Sequence, residues 1–177
     1  MTGELDDMNV RVLAAKIDVS VSAFYNRFKN KAAFLSALQS LFVKENDAKA
    51  ATLFSVEKIE KMNLKSAVEL MVDFIVDVYM GRGRGVIRAS VRGIGQIDDN
   101  WQQLRESSAR TRILMVKALA PKIRKRHGAA AEDKIRFAYQ FLNGTLVNGL
   151  LNPWHIYKID DPAFRSAFSL LIYNHLK

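Results

Sequence analysis

The residues from Ser20 to Arg27 are the ones whose types and spacing suit a recognisable chemistry. Ser20, Val21, Ser22 and Ala23 are small or polar and open a short helical stretch. A helix that enters the major groove of DNA needs such residues near its N-terminus, where free backbone N–H groups attract phosphate. Val21, Ser22, Ala23, Asn26 and Arg27 point away from the apolar face that carries Phe24 and Phe28. The methyl groups of Val21 and Ala23 suit thymine, and Asn26 and Arg27 supply donors for base edges or phosphates. Catalytic patterns are absent by comparison. Without cysteine there is no thiolate ligand and no thiol nucleophile. No P-loop, HExxH or GxSxG pattern occurs, and His127, His155 and His175 lack the spacing of metal ligands. Gly81, Gly83 and Gly85 follow a helix rather than a strand, so they read as a hinge-like loop and not as a dinucleotide fingerprint. The sequence therefore predicts a protein that is not an enzyme, with no cofactor and no metal.

The elements that position these residues are helices. A chain of 177 residues suits one domain, or a large one with a small one. Period-two alternation is scarce. Residues 9–17 form a short helix with Val10, Leu13, Ala14 and Ile17 on one face. Asp18-Val19 is a turn, and Ser20 caps a second short helix reaching Phe28. Asn30 caps a third, with Phe34, Leu35, Leu38, Leu41 and Phe42 at three–four spacing. Residues 64–80 are apolar except for Lys65, Glu69, Asp73 and Asp77, a single wet stripe expected of a helix deep in a bundle. Further helices are expected over residues 86–97, from Asn100 past Lys117 with a bend or restart at Pro121, over residues 132–151, and from Pro162 behind an Asp161 cap. The fold class is all-α.

Residues 10–38, VRVLAAKIDVSVSAFYNRFKNKAAFLSAL, carry a denser signal. Leu13-Ala14, the turn Asp18-Val19-Ser20, Phe24-Tyr25, Phe28 and Lys31 fall in the register of the helix-turn-helix signature of the TetR family of bacterial transcriptional regulators, which this stretch resembles. The resemblance implies that Tyr25 and Lys31 hold phosphates, contacts that position a reading helix without reading sequence. It also implies an architecture: a helix-turn-helix DNA-binding head over residues 1–45, truncated at its start, and a larger helical ligand-binding and dimerisation domain over residues 46–177. Two positions depart from the family. Asp18 stands where its turn glycine would be, which places a strained residue in a left-handed turn. A further family helix precedes the one near Val10 and covers its apolar face. Residues 1–9 here, with Gly3 and Asp6-Asp7, read as the loop that follows such a helix.

Charge and apolar patterning supply the remaining expectations. Residues 82–127 carry 12 Lys/Arg against 3 Asp/Glu, whereas residues 1–45 carry 6 against 5. The basic middle suits a solvated helix face or an anionic ligand such as a carboxylate or acyl-CoA, with Arg82, Arg84, Arg88, Arg92, Arg105, Arg110 and Arg112 as candidates. Met71, Phe74, Met80, Trp101, Met115 and Tyr139 are candidate lining residues of a ligand cavity. Phe137, Phe141, Gly144 and Asn148 form a second apolar face on the helix over 132–151. Together with Phe164, Phe168, Leu171 and His175 of the last helix they are expected to form a homodimer interface. No stretch reads as a membrane span or a signal peptide, so a cytoplasmic protein is expected. The expected function is a TetR-like regulator, a repressor released from a double-stranded DNA operator by a small-molecule effector. The alternative is a ligand-binding or protein-interaction dimer on the same scaffold with a degenerate, non-specific head.

Overall fold

Helix starts in this chain are set by side chains that accept from otherwise free backbone N–H groups. Asn9 accepts from the amide of Val12, Ser20 from Ala23, Asn30 from Ala33, Ser55 from Lys58, Asn63 from Ser66 and Asp161 from Ala163. Each such cap contributes about 1 kcal/mol. The computed structural model describes residues 8–92, 99–152, 158–159 and 161–177, with the backbone alone at residues 91, 92 and 99–101. Among these the regular elements are helices and no strand occurs: α1 (Val10–Lys16), α2 (Val21–Arg27), α3 (Lys31–Leu53), α4 (Val56–Glu60), α5 (Leu64–Met80), α6 (Arg84–Arg92), α7 (Asp99–His127), α8 (Ala131–Leu151) and α9 (Pro162–Leu176). Residues 1–7, where a loop was expected, lie outside the described residues.

Helix α5 is the centre of the fold. Ala67, Val68, Met71, Val72, Phe74, Ile75, Val76 and Tyr79 are all buried, and α5 packs against α9, α8, α7 and α6. Its wet stripe is where the sequence put it, and α9 uses it. Arg165 forks between Asp73 at 3.0 Å and Asp77 at 2.8 Å. A continuous core runs from Ala50 to Leu176 through α3, α4, α5, α6, α7, α8 and α9. Among the described residues no helix is long and apolar enough to cross a membrane.

Helices α1 and α2 stand apart from that core. Leu13, Ala14 and Phe24 are buried but do not belong to the main cluster. Their own small core is aromatic: Phe24 lies 5.4 Å from Phe28 and 5.3 Å from Phe34, and Phe28 lies 5.1 Å from Phe34, between ring centroids. Phe34 belongs to α3, which runs unbroken across the boundary expected at residues 45/46. One rigid helix thus joins the two-helix head to the body.

Several local expectations need correction. Pro121 does not restart α7, which is continuous through it. The missing hydrogen bond and the clash with the preceding turn are outweighed by the burial of Ala118, Leu119, Ala120 and Ile123 around it. Helix α6 begins at Arg84, so the glycine loop is shorter than expected, because Gly83 packs where any Cβ would overlap the Phe42 ring. Position 97, the expected end of that helix, lies outside the described residues. The short α4 behind Ser55 has too few residues to show a period. Ile17 and Leu41 are exposed, each lying beyond the surfaces that neighbouring helices cover. The buried member of the stretch around Leu41 is Gln39, which accepts from the Ser90 hydroxyl at 2.9 Å.

Asp18 has φ 55° and makes the α1–α2 turn in the left-handed region. Asp18→Gly is expected to keep the fold and move the urea midpoint upward. Asp18→Val is expected to cost about 1–2 kcal/mol, since a β-branched residue fits that region poorly. Urea unfolding followed by circular dichroism measures both, and equal stabilities for the two variants would contradict the strain argument.

Candidate functional site

Two surfaces and a cavity among the described residues bear on the expected sites. The first surface is the outer side of α2. Phe24 is only 1% exposed and anchors the helix, so the residues around it must face outward. Ser20, Val21, Ser22, Ala23, Tyr25, Asn26 and Arg27 are all exposed, and Lys31 at the start of α3 is partly exposed. The eight residues singled out for DNA contact therefore all reach solvent, seven of them exposed and Lys31 partly so. Ser20 accepts from the Ala23 amide at 3.0 Å, and the Tyr25 ring stands edge-on to Phe24 at 5.7 Å.

The cavity lies in the body, between α3, α5, α6, α7 and α8, and has a volume of 330 Å³. Two of the six expected lining residues, Phe74 and Tyr139, line it. Met71 and Met115 are fully buried in the core, and Met80 is packed at its margin; none of the three reaches the cavity wall. The Trp101 side chain lies outside the described residues. Phe42, Ile75, Val78, Ile87, Leu104 and Val147 supply most of the apolar wall. Arg105 and Arg112 supply its charge, and Ser107, Ser108, Thr111, Asn46 and Asn143 its polar groups.

Two tyrosines form the polar end of this cavity. Tyr79 donates to Asn143 Oδ1 at 2.5 Å. Tyr139 donates to the Ser108 carbonyl at 3.1 Å and meets the Ser108 hydroxyl at 2.8 Å. A phenol has one proton to give, so the Ser108 hydroxyl donates to the Tyr139 oxygen. Burial pushes the Tyr79 phenol well above its ordinary value of 10.0, and the neighbouring Tyr139 adds to this, while the bond to Asn143 opposes it. Burial also raises Tyr139, against the bond to Ser108 and the positive charge of Arg112. Both phenols are therefore neutral across the physiological range.

Polar side chains tie the walls to the helix that carries the head. Asp47 of α3 accepts from the Ser107 hydroxyl at 2.6 Å and from both Nε and Nη2 of Arg110, at 2.9 and 2.7 Å. Ser40 donates to Gln103 at 3.1 Å, and Gln39 accepts from Ser90 of α6. Helix α3 also lines the cavity, with Phe42 and Asn46. Sequence reading missed this hydroxyl-rich face of α7. The spacing of Ser107, Ser108 and Thr111 on an otherwise charged and apolar helix was its one available signal.

The second surface lies on α8 and α9. Phe137 is 58%, Phe141 43% and Leu171 52% exposed. The Phe137 and Phe141 rings stack at 6.2 Å, Phe141 stacks on Phe168 at 5.7 Å, and Phe137 meets His175 at 5.2 Å. Gly144 and Asn148 continue the exposed face, and an added Cβ at Gly144 would meet nothing. Phe164 does not share it. It is buried by its own chain and packs on Phe168 at 4.6 Å, because α9 turns that side toward α5.

Among the described residues no group of three or more His, Asp or Glu is placed to hold a metal ion. No family model matches the chain, and no curated protein or solved structure matches it either.

The raised phenols make stability depend on alkaline pH. The unfolded chain releases these protons near pH 10.0, while the folded chain holds them to higher pH. The stability they contribute is full below that value and is lost as pH rises beyond it. In Tyr79→Phe the fall in urea-unfolding stability between about pH 9 and 11.5 is expected to be shallower than in the unchanged protein. Identical slopes would mean that Tyr79 titrates like a free phenol.

Proposed function

We propose that this protein is a TetR-like homodimeric regulator of transcription, a repressor whose hold on a double-stranded DNA operator is relieved by a small molecule bound in the body cavity. The observation that carries the reading is the outer side of α2. A buried Phe24 fixes a short capped helix so that Val21, Ser22, Ala23, Asn26 and Arg27 are presented together to solvent. That is the chemistry a recognition helix needs, with Tyr25 and Lys31 placed beside it for phosphates. Such a protein works in the cytoplasm, where its operator is.

The unbroken α3 supplies the means of response. Its first turn packs the head through Phe34, and farther along it lines the cavity with Phe42 and Asn46. A ligand that favours one placement of α6 and α7 also favours one placement of α3, through Asp47, Gln39 and Ser40. In a dimer this changes the separation of two heads that must meet half-sites about 34 Å apart. The ligand shifts the population by its differential affinity alone.

Fluorescence anisotropy with DNA from upstream of the protein's own gene tests the first half of the reading. Binding is expected to survive scrambled competitor and to weaken with salt. Arg27→Ala is expected to cost about 1–3 kcal/mol on specific DNA if it reads a base. Tyr25→Phe and Lys31→Ala are expected to weaken all sequences alike, Lys31→Ala lowering the salt slope by about 1. Binding equal to scrambled DNA would favour the alternative, a ligand-binding or protein-interaction dimer with a degenerate head.

The exposed aromatic face of α8 and α9 supports the dimer. A contiguous patch of Phe137, Phe141 and Leu171 is costly to leave in water, and two copies related by a two-fold axis bury it against itself. Light scattering behind size exclusion at micromolar protein is expected to show a dimer for the unchanged chain. Phe137→Asp and Leu171→Asp are expected to give monomers with unaltered circular dichroism. Monomers for the unchanged chain would remove the dimer from the reading.

A further inference from the structure

We propose that the body cavity takes an apolar carboxylic acid, its hydrocarbon body against Phe74, Ile75 and Val78 and its carboxylate held by Arg105, Arg112 and Thr111. The inference rests on the effector reading of the same cavity and names the chemistry of the effector.

Charge is the first argument. Arg105 and Arg112 line the cavity, and no described Asp or Glu does. Asp47 of α3, which reaches this wall at Ser107, is already satisfied by the Ser107 hydroxyl and by two bonds from Arg110. Arg110, on the same helix, is thus neutralised by Asp47 and stands 3.9 Å from Glu106. Arg105 and Arg112 make no ion pair with a described residue. They are seven residues apart, two turns and about 10 Å of helix rise, so they lie on one face of α7, and both line the cavity. The field of Arg112 reaches inward as far as the Tyr139 phenol.

The second argument is a hydroxyl at the cavity wall. Thr111 is a buried residue on the same stretch of α7, and it lines the cavity. The other hydroxyls at this wall are committed: Ser107 to Asp47, Ser108 to Tyr139, Tyr139 to the Ser108 carbonyl and Tyr79 to Asn143. A hydroxyl at this wall beside two guanidinium groups that make no ion pair with a described residue fits one oxygen of an anion. Phe74, Ile75 and Val78 offer apolar wall to the rest of the ligand, and no described charged residue besides the two arginines lines the cavity. The volume of 330 Å³ lies at the small end of ordinary ligand sites, about 300–1,000 Å³. It suits a compact aromatic or a medium-chain aliphatic acid.

Isothermal titration calorimetry on the full chain at fixed ionic strength tests this with two acids, 1-naphthoate and octanoate, and their uncharged amides. At least one acid is expected to bind saturably, one per chain, with its amide about tenfold weaker or more. Which acid binds distinguishes an aromatic from an aliphatic effector. Arg105→Gln and Arg112→Gln, both at exposed side chains and so compatible with folding, are each expected to weaken the acid about tenfold while leaving the amide unchanged. Thr111→Val is expected to weaken it several-fold at unchanged thermal stability. The proposal is overturned if neither acid binds, if acid and amide bind alike, or if the double arginine variant keeps its affinity. A chain that binds operator DNA but no acid would overturn this inference alone. A chain that binds the acid but no specific DNA would overturn the regulator reading alone.

Discussion

Helix α5 is apolar on three sides, and it fails to fold usefully unless three sides are covered. That demand shapes the molecule. A stripe of four polar residues leaves one edge open to water, and α9 closes even this edge partly by placing Arg165 between Asp73 and Asp77. Helices α7 and α8 must then cover the opposite side. Burial of side chains such as Met71, Val72 and Ile75 stabilises by about 1.5–3 kcal/mol each relative to exposure, and no capping or ion-pair contribution in the chain is comparable.

The cavity exists because that covering is incomplete at one place. Around Phe74, Ile75 and Val78 the facing surface of α7 is made of Ser107, Ser108 and Thr111, which are too small to reach across. A core optimised for stability alone would fill this space, since a void forfeits contacts on every wall. Here it is edged instead with hydroxyls, two neutral phenols and two arginines. Helix α3 passes along it and continues to the head, so the cavity lies beside the element that is connected to α2. Stability is given up at the position where a bound molecule could restore it.

Head and body solve different problems. The body has enough chain to bury a continuous apolar core. The two-turn helices α1 and α2 do not, and they depend on Phe24, Phe28 and Phe34 meeting within 5.1–5.4 Å. One of those rings comes from α3, so the head is not separable from that helix. A buried ring at Phe24 also turns Tyr25 and Asn26 away from the covered side by helical geometry, while Arg27, three residues on, is exposed beside it.

Local signals were legible in the chain by itself. Side-chain caps such as Ser20, Asn30 and Asp161 act on amides two or three residues away, so helix starts could be read directly. The wet stripe of α5, the two-faced character of α8 and the outward edge of α2 follow from the 3.6-residue period. Where several helices meet, the sequence was silent or misleading. Met71 and Met115 have the composition of lining residues yet lie in solid core, whereas Thr111 and Tyr79 reach the cavity, as do Arg105 and Arg112, which charge alone had marked for an anionic ligand. Phe164 has the spacing of a surface residue but faces α5. Pro121 would break an isolated helix, and burial on both sides of it keeps α7 whole. Gln39 is buried because α6 brings Ser90 to it from 51 residues away. Periodicity says which residues share a face; only the packing of one face against others decides whether it meets core, cavity or water.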